Sequence, residues 1–165
     1  MLKMAGSQEK NKKNPDVYTD LYHRFMALDN GLKAALRRVP EPEELRDTAA
    51  FYRLFYQARP DDAWLRVVFL LPWCTQCKEG AENITPRFGT QMAGKVNEMR
   101  ILQVARAKEP LDIIQFRRLA IQIRPIVDWA RLGKTLFYWT REDKRSIVED
   151  FYYPQSNYNR KGVRS

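Results

Sequence analysis

Histidine occurs once, at His23, and cysteine twice, at Cys74 and Cys77. That scarcity leaves few routes to a metal centre or an activated nucleophile. No Gly-x-Ser-x-Gly, His-Glu-x-x-His or Walker-type glycine loop is present. Seven glycines and nine prolines in 165 residues exclude a collagen-like or proline-rich chain. No apolar run reaches the 18 to 20 residues of a membrane span. The longest one, Val67-Val68-Phe69-Leu70-Leu71, stops at Pro72. The opening stretch MLKMAGSQEKNKKN has no apolar core, so no secretory signal is expected. Two cysteines make no disulfide framework, and a cytoplasmic, reducing location fits. No repeat recurs at a solenoid period.

What the chain has in excess is positive charge. Twenty-nine Lys and Arg stand against twenty Asp and Glu, a net charge of +9. An anionic partner, nucleic acid above all, is the first to consider. Residues 1–14 and 154–165 read as basic tails, each carrying a net charge of +3. Between Lys95 and Lys134 nine basic side chains face four acidic ones. Arginine outnumbers lysine 18 to 11, which favours bidentate phosphate contacts.

The 44% apolar content is that of a folded chain, of about one domain's length. The apolar spacing is helical nearly throughout. Helices are expected over 17–28, 32–39, 43–56 and 62–71, the last with strand as an alternative. Leu45, Ala49, Tyr52 and Phe55 are expected inward on the third. Residues 74–90 are polar, contain Gly80, Pro86 and Gly89, and read as a linker loop. Further helices are expected over 91–107, with Met92, Val96, Met99, Leu102 and Ala105 inward, then over 111–124, 126–138 and 141–153. Thr140 and Asp143 have the spacing of a capping box. The expected fold is all-α: two small helical bundles in one elongated chain, an N-terminal subdomain over 15–73 and a C-terminal bundle over 91–153. Trp129 and Phe151 are expected to anchor the second bundle.

Trp73-Cys74-Thr75-Gln76-Cys77-Lys78 imitates a thioredoxin-type redox site, but the helical context lacks the strands such a site needs. Two cysteines also fall short of a zinc site, unless ligands are shared across a dimer. The plain reading is two ordinary thiols in a surface loop. A metal-dependent nuclease would need acids converging in a basic setting. No catalytic residue, metal ligand or cofactor is assigned.

The basic residues are better candidates. Arg117 and Arg118 interrupt an apolar helix, and Arg124 shares a face with Arg117. Arg100 and Arg106 belong to the preceding helix. Arg141, Lys144 and Arg145 belong to the last. Arg37, Arg38 and Arg53 are the candidates of the first half. Aligned on an antiparallel bundle, such residues form a strip suited to a phosphate backbone.

Ordered blocks along the chain carry a resemblance. They are Leu28-Asp29-Asn30-Gly31, Leu36-Arg37-Arg38-Val39, Glu41-Pro42-Glu43-Glu44-Leu45-Arg46-Asp47 and Ala50-Phe51-Tyr52-Arg53-Leu54. In the second half they are Val96-Asn97-Glu98-Met99-Arg100-Ile101-Leu102-Gln103, Phe116-Arg117-Arg118-Leu119, Val127-Asp128-Trp129 and Glu149-Asp150-Phe151. Together they resemble the CasB family, the small subunit of the type I-E CRISPR Cascade complex. The resemblance implies a non-catalytic, all-helical subunit in antiviral defence. Its implied partners are other Cascade subunits, a second copy of itself, the guide RNA, the target and displaced DNA strands, and a recruited helicase-nuclease. No membrane partner is implied. Because RNA–DNA pairing selects the sequence, such a subunit contacts backbones and not base edges. The alternative is a protein–protein scaffold subunit without direct nucleic-acid contact.

Overall fold

The computed structural model describes residues 16–154. Except for Pro154, the two expected basic tails lie outside the described residues. Helix α1, Val17–Met26, begins at Asp16, whose carboxylate accepts from the amides of Tyr18 and Thr19. Asp29 caps α2, Asn30–Arg38, in the same way. A 3₁₀ segment, Pro42–Asp47, and α3, Ala49–Leu54, replace the single helix expected over 43–56. Thr48 is extended between them, and its hydroxyl caps α3 at the amide of Phe51. That break re-aims the face, so Tyr52 is exposed rather than buried. α4 spans Ala63–Leu70 and resolves the helix–strand ambiguity. Val67, Val68, Phe69 and Leu70 are all buried, which is why no single apolar face showed in the sequence.

A 3₁₀ turn, Leu71–Trp73, leads into β1, Thr75–Gln76, which pairs in parallel with β2, Ile126–Val127. The Thr75 amide donates to the Pro125 carbonyl at 3.0 Å, and the Cys77 amide to the Val127 carbonyl at 2.8 Å. Cys74 and Cys77 are therefore buried free thiols, not surface residues. Burial pushes the Cys74 thiol pKa well above its ordinary value.

The helix expected over 91–107 is two. α5, Phe88–Met92, ends before Gly94, whose φ of +76° favours glycine, and Asn97 caps α6, Glu98–Arg106. Met99 is consequently exposed, not inward. α7 covers Leu111–Ile123, α8 Trp129–Tyr138 and α9 Arg141–Tyr152. The Thr140–Asp143 capping box is present, each side chain accepting from the other residue's amide at 2.9 to 3.0 Å.

The molecule is predominantly helical, with two packed clusters. α1 to α4 and α8 form one, and α5, α6, α7 and α9 the other; α7 also touches α4. Trp129 is fully buried, but it anchors the first cluster and not the second. Its ring stacks on Tyr22 of α1, with centroids 6.2 Å apart, and its indole donates to the Cys74 carbonyl. Gly133 makes this packing possible, because a Cβ there would lie 2.4 Å from Tyr18. Phe151 is half-buried, packed on the core rather than within it. In the second cluster the central aromatic contacts are Phe88–Phe116, 4.0 Å, and Phe116–Trp139, 5.3 Å.

Candidate nucleic-acid interface

The basic candidates divide by what their side chains already hold. Arg117 faces inward. Its Nη1 donates to the Val39 carbonyl at 2.7 Å, and its guanidinium carbon lies 3.9 Å from the centre of the Phe69 ring. Burial, with the neighbouring Arg118 charge adding to it, lowers the Arg117 pKa to about 10. Lys144 is likewise committed. Its Nζ donates to Asp112 Oδ2 at 2.7 Å and to the Ala107 carbonyl at 3.1 Å. Asp112 Oδ2 also accepts from the Trp139 indole at 2.8 Å. The phosphate role expected of these two is corrected: both side chains are turned to interior acceptors, Arg117 to the Val39 carbonyl and Lys144 to Asp112 and the Ala107 carbonyl.

The same two residues gather the others. Arg117 ties the residue after α2 to α7, and Arg37 and Arg38 on that end of α2 are exposed, as is Arg118 on α7. Arg100, from α6, bonds the Gln122 side chain one turn beyond Arg118. Lys144 ties α9 to the end of α6, which brings Arg141 and Arg145 toward Arg106. All three of those arginines are exposed. Arg53 is exposed on α3, and its sequence neighbours Tyr52 and Tyr56 are exposed as well. None of Arg37, Arg38, Arg53, Arg106, Arg118, Arg141 or Arg145 forms an ion pair with a carboxylate among the described residues. Their charge is open to an outside anion.

Sequence reasoning did not foresee how many arginines serve the fold. Arg24 donates to the Leu54 carbonyl at 2.6 Å, and Arg131 to the Thr85 carbonyl at 3.0 Å. Arg66 bonds the carbonyls of Leu136 and Phe137 and pairs with Glu109 at 2.7 Å. Arg46 pairs with Asp62 at 2.6 Å. A planar guanidinium presents five donors in a rigid fork, against three on a lysine ammonium, and so can close several carbonyls at once. Part of the arginine excess is therefore structural. The exposed tyrosines beside Arg53 were also missed, because the unbroken helix placed Tyr52 inward.

A cleft between α5, α8 and α9 carries charges of both signs, Arg87 and Arg131 beside Asp128, Asp143 and Asp150. Among the described residues no group of three or more His, Cys, Asp or Glu side chains could hold a metal ion. No helix among them is long and apolar enough to cross a membrane.

These features define the class: a predominantly helical protein with open arginines on both clusters. No protein-family model matches the chain. It is 37% identical over 143 residues to the CRISPR system Cascade subunit CasB of Escherichia coli strain K12, covering 79% of this chain and 89% of that protein. It also resembles a chain in the crystal structure of E. coli Cascade bound to a PAM-containing double-stranded DNA target. That likeness has a TM-score of 0.74 at 34% identity, over 84% of this chain and 98% of the other. The chain belongs to the CasB family.

Proposed function

We propose that this protein is the non-catalytic small subunit of a type I-E Cascade complex. In that role it steadies the guide RNA–target DNA hybrid and the displaced strand through backbone contacts. The observation that carries the reading is the set of open arginines, Arg37, Arg38 and Arg118 on one side and Arg106, Arg141 and Arg145 on the other. An arginine with no carboxylate partner offers a bidentate fork to phosphate. Arg53 with Tyr52 and Tyr56 adds a place where unpaired bases can stack beside a cation. Backbone contacts position without reading sequence, which suits a complex whose guide supplies specificity. Other Cascade subunits, a second copy of the chain and a recruited helicase-nuclease are the proposed protein partners.

Reconstitution tests the reading. Cascade assembled with this subunit should bind target DNA more tightly than Cascade lacking it, with a steeper dependence on salt. Equal salt slopes with and without the subunit, at full assembly, would favour the scaffold alternative.

A further inference from the structure

One seam of the fold carries two arginine–aromatic steps, an inner and an outer one. Phe69 and Trp73 are four residues apart at the end of α4 and in the turn after it. Arg117 and Arg124 are seven apart on α7 and its C-terminal cap. Arg117 lies over Phe69, and its Nη1 is spent on the Val39 carbonyl. Arg124 lies over Trp73, its guanidinium carbon 5.2 Å from the ring centre. Unlike Arg117, Arg124 is exposed, and among the described residues it forms no ion pair with a carboxylate.

The backbone at Arg124 makes the choice of residue informative. Its φ is 47° and its ψ 66°, left-handed, a region that favours glycine. Its amide closes the last turn of α7 on the Ala120 carbonyl at 2.7 Å. Stopping the helix needs only that conformation, and glycine would supply it without strain. A cation at a helix C-terminus gains a little from the helix dipole, but that gain needs no aromatic ring beneath it. Trp73 beneath it is half-buried, on a turn packed against α1, α2 and α7, so the ring is a fixed platform. A guanidinium held over a ring leaves N–H donors available to an outside acceptor.

We infer that Arg124, held over the Trp73 ring, is a phosphate contact at the C-terminal end of α7. The inference rests on the nucleic-acid reading above and adds a residue to it. The ligand is the phosphodiester backbone, so the contribution is the same for unrelated sequences.

The test uses the reconstituted complex with labelled target DNA, and compares Arg124→Gly with Arg124→Ala. Both remove the guanidinium, but only glycine suits the backbone. Each variant should lose about 0.7 to 0.9 from the slope of log affinity against log salt. Arg124→Gly should nevertheless melt at a higher temperature than Arg124→Ala. Arg124→Lys, which keeps the charge and loses the planar fork, should retain part of the slope. If Arg124→Gly keeps the parent slope in an intact complex, the arginine is only a helix stop and the inference fails. A loss confined to Arg124→Ala fails it too, because the cause is then the backbone. Loss of assembly in Arg124→Gly makes the residue a protein contact and overturns the inference. A parent complex whose affinity gains no salt dependence from this subunit instead fails the nucleic-acid reading itself.

Discussion

Lys144 and Asp112 form an ion pair of 2.7 Å that is almost entirely enclosed, the carboxylate side chain 2% exposed and the lysine 13%. The Trp139 indole donates to the same carboxylate oxygen, and Lys144 also closes the Ala107 carbonyl. The start of α7, the end of α8 and the first turns of α9 thus meet on one buried charge. Removing the cation strands that carboxylate. Lys144→Ala should therefore destabilise the protein by about 3 to 5 kcal/mol, measured by urea unfolding. The Lys144→Met, Asp112→Asn double variant should recover much of that loss, because no lone charge remains. A Lys144→Ala protein of parental stability would show the pair to be solvated.

Arg117 and Arg118 are adjacent in sequence and opposite in role. Arg117→Ala removes a charged hydrogen bond to Val39 and the stack on Phe69. It should cost about 2 kcal/mol of stability and leave the salt slope of the assembled complex unchanged. Arg118→Ala should do the reverse. Thermal melting and salt titration of both variants separate the roles, and interchanged results would place Arg117 on the ligand face.

Much of the fold is written in local signals. Asp16, Asp29, Asn97 and Asp128 each cap the helix that follows, and the Thr140–Asp143 box is legible from spacing alone. Partners distant in sequence are not legible. Val39 and Arg117 are 78 residues apart, and Asp112 and Lys144 are 32 apart. No local pattern distinguishes an arginine that will meet a buried carbonyl from one that will stay open. The break at Gly94 was missed for a different reason: apolar spacing continues across it, while the backbone turns. The candidate interface was legible as a set of arginines, but not as two groups held by Arg117 and Lys144.

Gly89 reads in the sequence as a loop residue, yet it lies in α5 against α9. A Cβ there would sit 2.2 Å from the Ile147 carbonyl oxygen. Gly89→Ala should push the two helices apart and cost about 1 to 3 kcal/mol or more. Gly31, where a Cβ meets nothing closer than 3.5 Å, provides the control. Gly31→Ala lies at the exposed start of α2 and should be neutral or stabilising. Equal melting temperatures for the two variants would contradict the close crossing.

The buried Cys74 thiol gives stability a pH dependence with a definite sign. Its pKa is raised in the folded protein by burial, from an ordinary value of 9.0. The unfolded chain therefore releases this proton first. The stabilisation is full below pH 9 and declines as pH rises above it, with a limiting slope of about 1.4 kcal/mol per pH unit. Cys74→Ala should flatten the decline between pH 9 and 10, at some cost in stability at neutral pH. The native thiol should also resist alkylation until the protein unfolds. Rapid native modification at Cys74 would refute its burial.

The open arginines predict a larger effect on binding than any of these residues. Arg38, Arg118, Arg141 and Arg145 have no carboxylate partners among the described residues, so alanine leaves no buried charge behind. The quadruple variant should fold with near-parental stability, since exposed substitutions of this kind cost little. Each phosphate contact adds about 0.7 to the salt slope on single strands and about 0.9 on duplex. If all four touch backbone, the variant should lose roughly 3 units of slope. The loss should be alike for unrelated sequences. Arg117 and Lys144 make the matched control, because replacing them should lower stability while leaving the slope in place. Affinity measured across a range of salt in complexes of equal stoichiometry decides between them. An unchanged slope in the quadruple variant would leave the scaffold reading in front, with both arginine groups acting through protein neighbours.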